Sequence, residues 1–371
     1  MLDLMELSAR WTRTREMMER LDLDVVIAID TSRDEILLST QRWLTGFTPL
    51  GGPAAALLFR DGHVELVSQW LGKTVPAFYA GADLPIETVP GYSPQIFAER
   101  IGKAGARKIG YAEDGCFPAS IYQALRDMPS SPALIDISAE IIALRMRKSA
   151  AEIATIRKSC AIADKIWENM DDIFRVGRKH YEIVADISHL ARLEGAEGGF
   201  YLMGKLPFLG MPMRVLADPD EVVADTRYLV EVSPRFDGYY SQLTGPVTTR
   251  PDDADAARAL ADVVAAKEFA QPLMVPGADL SAIAVEIETF LKDRGHMMIS
   301  RSLGHFCGMA LEEPRHDPGK PVILESGMTF IFHPVLFSPE LASFMRADTY
   351  LITPDGAERL NRYGTEMLVA G

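Results

Sequence analysis

The apolar positions in the first part of the chain follow two alternating patterns. Leu7, Trp11 and Leu21 recur at approximately helical spacing, which predicts an amphipathic helix over residues 6–21. Continuous apolar runs of strand length follow it, at 24–29, 54–59, 63–67 and 108–112. An Asp-Gly turn separates the second run from the third, so these two predict a β-hairpin. Helices that alternate with short buried strands predict an α/β domain with a mixed sheet over residues 1–143.

A different pattern begins at residue 144. A charged stretch gives way to a long helical periodicity, and Ser149 followed three residues later by Glu152 has the form of a capping box. We therefore predict a second domain over residues 144–371. Its predicted helices are 178–194, 255–271 and 280–294, and its predicted strands are 227–233, 238–244, 328–336 and 346–353. No internal repeat is evident from the sequence.

Composition and charge narrow the classes of function. The 371 residues are 48% hydrophobic and 24% charged, an ordinary globular composition, and the formal net charge is −14. Such a charge repels phosphate backbones and anionic lipid, so neither nucleic acid nor a membrane is an expected partner. Cys116, Cys160 and Cys307 are too scattered for a disulfide framework or a CxxC zinc site. Because we find neither a signal-peptide pattern nor an apolar span of about 20 residues, we predict a cytoplasmic location.

Three segments of the second domain contain residue types suited to chemistry. Residues 228–244 form a strand, a turn and a second strand, with Glu231 and Gln242 eleven positions apart. His305 lies in a turn with glycines at 304 and 308. His333 lies near the end of the segment 326–334, and a further predicted strand begins close to residue 345.

Taken together, these segments resemble the creatinase/aminopeptidase P/prolidase superfamily of pita-bread proteins. Residues 228–244 resemble the hairpin that carries two metal-binding aspartates, and 302–309 resembles the GHGxG-type turn with its ligand histidine. Residues 326–334 and 345–349 resemble the PGMxFxxEP and RxED strands, which carry the ligand glutamates. The resemblance implies an α/β (α+β) chain: an N-terminal creatinase-like mixed-sheet domain followed by a C-terminal pita-bread domain with pseudo-two-fold symmetry. It also implies a homodimer in which the N-terminal domain contributes to the partner's active site.

The family's five metal-ligand positions are occupied differently in this chain. Glu231 and Gln242 stand at the two aspartate positions, and His305 keeps the histidine position. His333 and Ala347 stand at the two glutamate positions. Two divalent cations need several anionic oxygens, so we expect a metal-independent, creatinase-like branch of the superfamily with no cofactor. Glu231, His305 and His333 stay open as a two-His-one-carboxylate set for a single metal ion.

Further positions are candidates for binding a small-molecule substrate. An ungapped count places Arg214 at the substrate-binding histidine of the peptidases, and Glu312 at a second, downstream histidine. The apolar loop 200–213, interrupted by glycine and proline, is typical of a wall that contacts an apolar or aromatic ligand. The candidate substrate-binding residues are Arg214, Gln242, Arg346, Asp348, Tyr240, Phe208, Met211 and Phe47.

Without a metal, the remaining chemistry is general acid/base catalysis. We expect His305 and His333 to move protons, and Glu231 or Glu312 to act as base or to orient an imidazole. The predicted function is a lyase that cleaves a small, partly apolar or aromatic substrate by elimination or by a retro-aldol-type reaction. The alternatives are a creatinase-like metal-free C–N hydrolase, a metallopeptidase of the aminopeptidase P/prolidase type, and a pita-bread protein that binds without catalysis.

Overall fold

The structure is a computed structural model that describes residues 4–30, 40–48, 52–69, 86–113, 116–207, 219–338 and 341–371. The chain divides into two compact units, Met1–Arg145 and Met146–Gly371. Among the helices of the described ranges, none combines the length and the apolar character needed to cross a membrane.

The N-terminal unit is built on a six-stranded mixed sheet with the strand order β4-β3-β2-β1-β5-β6. The predicted hairpin is confirmed as β2 and β3, which pair antiparallel with Leu58 opposite Val64. The predicted first helix is confirmed as α1, which buries Leu7 and Trp11. The elements are α1 (Leu4–Leu21), β1 (Val25–Asp30), α2 (Thr40–Thr45), β2 (Ala54–Phe59), β3 (Val64–Ser68), β4 (Ile86–Pro90), α3 (Pro94–Ala104), β5 (Lys108–Tyr111), α4 (Ala119–Arg126), β6 (Ala133–Asp136) and α5 (Ser138–Met146).

The C-terminal unit opens with the predicted capping box. The Glu152 backbone N–H donates to Ser149 Oγ over 3.1 Å, and the Ser149 N–H donates to the Glu152 carboxylate over 2.8 Å. The helices that follow are α6 (Ala150–Glu168), α7 (Met170–Ile173), α8 (His180–Leu193), α9 (Ala254–Ala270), a 3-10 turn (Gln271–Leu273) and α10 (Leu280–Lys292). The strands are β7 (Gly198–Leu206), β8 (Arg227–Phe236), β9 (Tyr239–Tyr240), β10 (Leu243–Thr248), β11 (Met297–Met298), β12 (Gly304–Phe306), β13 (Glu313–Arg315), β14 (Thr329–Phe332), β15 (Val335–Ser338), β16 (Ala342–Met345), β17 (Asp348–Thr353), β18 (Gly356–Arg359) and β19 (Leu368–Val369).

Two larger sheets carry the functional positions. One has the order β19-β10-β8-β7, and the other has the order β13-β12-β14-β17-β18. An antiparallel bridge between Thr244 and Ala347 connects β10 to the start of β17, so the two sheets form one surface. The single strand predicted over 328–336 is instead two strands, β14 and β15, which separate at His333-Pro334. Proline lacks the N–H that a continuing ladder would use.

The two halves of this unit repeat one another. The N–H of Gly177 donates to Val222 O, and the N–H of Gly277 donates to Leu324 O, both over 2.8 Å. Both glycines have positive φ, 84° and 90°. Each turn leads into a helix, α8 or α10, and then into a sheet. The pseudo-two-fold symmetry is therefore confirmed; it was invisible in the sequence because the repeat is one of backbone geometry rather than of side chains.

Strand β8 separates the helix-packed core from the opposite, inner face of its sheet. Tyr228, Val230 and Val232 belong to a buried cluster that also contains Trp167 of α6 and Ile183 of α8. Successive side chains of a strand point to opposite faces, so the alternate residues of β8 face away from these helices. Leu229 follows this rule and packs with Leu202 and Met345 in a different cluster. The inner face is where the candidate chemistry lies.

Candidate functional site on the inner face of the C-terminal unit

Glu231 belongs to the inner face of β8 and is almost completely buried, with 4% of its surface exposed. It stands directly opposite Thr244 on β10. Thr244 in turn exchanges two backbone hydrogen bonds with Ala347, of 3.1 and 3.0 Å. His333 follows Phe332, which pairs with Asp348, and so continues the row beside Ala347. Residues opposite one another in antiparallel strands share a face, so this row is Glu231, Thr244, Ala347 and His333.

A second row runs beside the first. The Gln242 N–H donates to Thr349 Oγ1 over 2.9 Å, and Thr349 pairs with Ile331. Ile331 pairs with His305. The imidazole rings of His305 and His333 meet edge to face with centroids 5.4 Å apart. The two rows therefore bring together all five positions that the sequence resemblance assigns to metal ligands.

Glu231 has an electrostatic environment unusual for a carboxylate. Burial raises its pKa from 4.5 to about 7, and repulsion by Glu312 adds to this effect. A hydrogen bond of 3.3 Å from Ser233 Oγ opposes the rise. Within the part of the chain that the structure describes, no lysine or arginine forms an ion pair with Glu231. Both its protonated and its ionised form are therefore accessible near neutral pH.

The two histidines of the rows are neutral at physiological pH. Burial lowers the pKa of His305 to about 4, and burial also holds the pKa of His333 well below its usual value. Each ring thus offers one N–H donor and one nitrogen acceptor. Nδ1 of His333 is buried and has no hydrogen-bond partner among the described residues. A buried polar atom without a partner is costly, and a ligand that reaches it removes that cost.

The mouth of the site carries charges of both signs. Glu312 has 35% of its side chain exposed and forms an ion pair with Arg315, which is half exposed. Arg315 pairs with His305 across β13 and β12, so both side chains start from the same face. Both charges act on His305 and on Glu231. The sequence analysis identified Glu312 but missed Arg315, because a β-bulge at this point sets which residue lies opposite His305.

Arg346 and Asp348 lie on the other face of β17, away from Ala347. Asp348 is fully buried and accepts hydrogen bonds from Arg346 Nη2 at 3.2 Å and from Arg359 Nε at 3.0 Å. Lys267 of α9 donates to Asp348 and, over 3.2 Å, to the Arg346 backbone oxygen. Both predicted substrate-binding residues are thus engaged within the protein. Lys267 was not identified from the sequence, although it occupies a buried position in the periodicity of α9.

The other predicted contacts have varied placements. Tyr240 is fully buried, its N–H donates to Gly308 O over 2.8 Å, and the Arg235 guanidinium lies 5.5 Å from its ring centroid. Phe47 is buried within the N-terminal unit, where its N–H donates to Thr45 Oγ1 over 3.2 Å. The remaining three candidates lie outside the described residues: Phe208, Met211 and Arg214.

The residues at the five positions do not fit a two-metal centre. Ala347 has no ligand atom, and the Gln242 amide is neutral and donates from Nε2 to Thr244 Oγ1 over 3.0 Å. Glu231 alone offers a carboxylate, whereas two divalent cations require several. In the described ranges, one set of three His, Cys, Asp or Glu side chains has ligand atoms within 4.8 Å of one another, and it lies elsewhere, at His63, Glu65 and Glu87. The single-metal set of Glu231, His305 and His333 is therefore not assembled in this structure.

The set in the N-terminal unit is an ion-pair network. Arg100 Nε donates to Glu65 over 2.9 Å, and Arg100 Nη2 donates to Glu87 over 2.7 Å. The Arg100 guanidinium thus bridges both carboxylates, and His63 Nε2 lies 3.3 Å from Glu65 and 3.2 Å from Glu87. This cluster is explained as a salt-bridge network around the buried Glu65, with Glu87 and His63 partly exposed at its edge.

Comparison with known proteins identifies both units. Residues 154–354 match metallopeptidase family M24, and residues 10–147 match the creatinase/prolidase N-terminal domain. The Xaa-Pro dipeptidase of Pyrococcus furiosus is 27% identical over 61% of this chain and 66% of its own length. A probable dipeptidase of Mycobacterium tuberculosis is 26% identical over 61% of each chain. The chain thus spans slightly less than two thirds of the length of these relatives.

Solved structures share the fold over nearly the whole chain. The prolidase of Pyrococcus horikoshii has a TM-score of 0.80 at 20% identity and covers 96% of this chain and 99% of its own. The X-Pro aminopeptidase of Thermotoga maritima has a TM-score of 0.83 at 16% identity, with coverage of 97% and 99%. The predicted fold class, a creatinase-like mixed-sheet domain followed by a pita-bread domain, is confirmed.

These relatives correct the predicted reaction class. The expectation of a metal-independent lyase is wrong, because the relatives are dipeptidases and the family is one of metallopeptidases. The creatinase-like metal-free C–N hydrolase is not supported either. The sequence reasoning erred by inferring a new reaction from the altered ligand positions alone, whereas the alternative of an aminopeptidase P/prolidase-type peptidase agrees better with the relatives. The chain belongs to metallopeptidase family M24, within the creatinase/aminopeptidase P/prolidase superfamily.

Proposed function

We propose that this chain is a peptidase that binds a short peptide along the two inner-face rows of its C-terminal unit and hydrolyses a peptide bond there. The observation that carries the proposal is the placement of Glu231 in a chain of family M24. It is a buried carboxylate at a ligand position of that family, on the same face as two neutral imidazoles. The dipeptidase relatives support a substrate of dipeptide size.

Glu231 is the side chain best suited to move the proton that hydrolysis requires. A general base works best when its pKa lies near the working pH, and burial brings Glu231 to about 7. In its ionised form it takes a proton from the attacking water. In its protonated form it returns that proton to the nitrogen of the leaving amine.

The two imidazoles supply neutral hydrogen-bonding groups. A neutral ring donates one N–H, which stabilises negative charge as it develops on the substrate carbonyl oxygen. His305 and His333 stand at the end of the second and first rows respectively, so the carbonyl of a peptide lying over Thr349 and Ala347 comes within their reach. Ala347 contributes only a methyl group to the first row.

The mouth of the site suits a substrate that carries charges of both signs. A free dipeptide has an ammonium and a carboxylate, and Glu312 and Arg315 present the complementary pair. The residues at the ligand positions do not fit two metal ions, so no step is assigned to a metal. The homodimer and the cytoplasmic location implied by the sequence remain predictions.

Hydrolysis of Ala-Pro and a panel of other dipeptides by the purified chain tests the proposal. Each assay is run after chelation and again with added Mn²⁺, with release of the free amino acid as the readout. We expect hydrolysis, and a loss of about 10²–10⁴-fold in kcat/KM for Glu231→Gln.

The matched control is Glu221→Gln, which removes an exposed glutamate paired with Lys179 at the surface and should leave the rate unchanged. Failure to cleave any dipeptide in either arm would contradict the proposal. An unchanged rate in the Glu231 variant would exclude Glu231 as the base.

A further inference from the structure

A buried ion pair lies beneath the mouth of the site. Lys148 Nζ donates to Glu313 Oε2 over 2.6 Å, and their side chains are only 1% and 3% exposed. Lys148 immediately precedes the N-cap of α6, and its backbone N–H donates to Gly327 O over 3.0 Å. The Lys148 backbone is therefore fixed between the start of α6 and the residues that precede β14, while its ammonium group pairs with Glu313.

The Glu313 carboxylate is built into the turn that follows β12. A Cβ atom at Gly308 would lie 2.6–2.8 Å from that carboxylate, so the turn can pass over it only because residue 308 is glycine. The Ala310 N–H also points at Glu313 Oε1 from 3.5 Å. The turn is further closed by hydrogen bonds from Gly308 N to Ala310 O and from Tyr240 N to Gly308 O, of 2.9 and 2.8 Å.

The same turn carries the charged residues of the mouth. Glu312 directly precedes Glu313 in the chain, and Arg315 lies two residues beyond it, opposite His305. Glu312 and Arg315 form an ion pair, and both side chains are partly exposed rather than packed in the core. Their position over the rows therefore depends on the backbone between residues 307 and 315. That backbone is fixed from below by Glu313.

We propose that Lys148 is a positioning residue for substrate binding: through Glu313 it fixes the turn 307–312 and so holds Glu312 and Arg315 at the mouth of the site. The inference rests on the proposed peptidase function and extends it to a residue outside the inner-face rows. Lys148 touches neither the substrate nor the reacting atoms. Its loss should therefore weaken binding more than the chemical step.

The kinetic test compares Lys148→Met with Lys148→Arg. We expect Lys148→Met to raise KM for the best dipeptide about tenfold while kcat stays within about threefold, and Lys148→Arg to restore KM to within about twofold. The matched control is Arg147→Met, the neighbouring residue, whose pair with Glu325 is half exposed. It should leave both constants unchanged. A fall in kcat at constant KM would overturn the proposal.

A second variant separates positioning from stability. Lys148→Met removes the ammonium group that pairs with the buried Glu313 carboxylate, and breaking a buried ion pair destabilises the fold. Lys148→Met combined with Glu313→Gln removes both charges at nearly constant volume, so the melting temperature should recover. The proposal predicts that KM stays raised in this double variant, because the charged anchor of the turn is still missing. If KM recovers together with the fold, the pair is merely structural and the proposal is overturned.

Hydrogen exchange supplies a readout that does not need turnover. In the double variant, the amides of residues 308–312 should exchange faster than in the native chain, while those of β14 keep their protection. Equal exchange in the turn would contradict the positioning role. Because this measurement is independent of catalysis, it still decides the role of Lys148 if the chain hydrolyses no dipeptide.

Discussion

Glu231 and Asp348 are two buried carboxylates of the C-terminal unit that differ in their neighbouring charges and therefore in their pKa values. They are 4% and 1% exposed. Burial raises the pKa of Glu231 to about 7, with no cation paired to it among the described residues. Burial also disfavours the ionised form of Asp348, but Lys267, Arg346 and Arg359 outweigh it and hold its pKa far below the usual range. Burial alone therefore does not set ionisation; the neighbouring cations do.

The difference separates a structural group from a reactive one. Asp348 is fixed as an anion by three cations on the helix-packed face of β17. Glu231, on the opposite, inner face, can change its protonation state near neutral pH. The start of β17 shows the contrast, because Asp348 pairs with Lys267 of α9 while its neighbour Ala347 brings no charge to the inner face.

The largest expected effect comes from disrupting the ion pairs of the structural carboxylate, Asp348. Lys267→Met removes one of the three cations around the buried Asp348 and leaves Arg346 and Arg359 paired with it. The loss of this buried ion pair should lower the free energy of unfolding by about 3–4 kcal/mol, in the lower part of the range for such a change. Chemical denaturation followed by circular dichroism measures the change. The control is Lys165→Met, an exposed helical lysine paired with Glu168, which should shift the free energy by no more than about 0.5 kcal/mol. Equal small losses in the two variants would mean that Asp348 does not depend on Lys267.

A smaller expected effect is the pH dependence of stability that Glu231 causes. The folded state binds the Glu231 proton more tightly than the unfolded state, because its pKa rises from 4.5 to about 7 on burial. This contribution to stability is complete below pH 4.5 and is lost as the pH rises to about 7, by roughly 1.4 kcal/mol per unit. Glu231→Gln lacks this loss. Its free energy of unfolding relative to the native chain should therefore increase by about 3 kcal/mol across that window and level off above it.

For Asp348 we expect the free energy of unfolding to change with pH in the opposite direction, because its pKa is lowered in the folded state. Its contribution is complete above its ordinary pKa of 3.8 and is lost as the pH falls below that value. A constant difference in the free energy of unfolding between Glu231→Gln and the native chain from pH 4 to 8 would contradict a raised pKa for Glu231.

The sequence predicted well those features that depend on local pattern. The capping box at Ser149 and the hairpin at 54–67 were both identified, because each has a motif or a periodicity. Glu231, His305 and His333 came from motifs too, and their catalytic roles stay predictions. The division of 328–336 into two strands was missed, although Pro334 gave a signal for it.

The features that the sequence did not predict depend on contacts between distant segments. Arg315 lies over His305 because of a bulge in the pairing of β12 with β13, and no local pattern reports such a bulge. Lys267 and Lys148 were overlooked because lysine is normally exposed, and only their buried partners, Asp348 and Glu313, explain their burial. The reaction class was wrong because substitutions at ligand positions do not by themselves specify a new chemistry.

The most direct test of the central claim is a ¹³C NMR titration of the side-chain carboxyl carbons in the native chain. The Glu231 signal is assigned by its loss in Glu231→Gln. We predict that it titrates near pH 7, whereas the Asp348 signal stays that of an ionised carboxylate from pH 4 to 8. A Glu231 signal that titrates at or below its ordinary value of 4.5 would show a cation beside it. It would contradict the claim that this carboxylate, which pairs with no cation in the described ranges, is the reactive one.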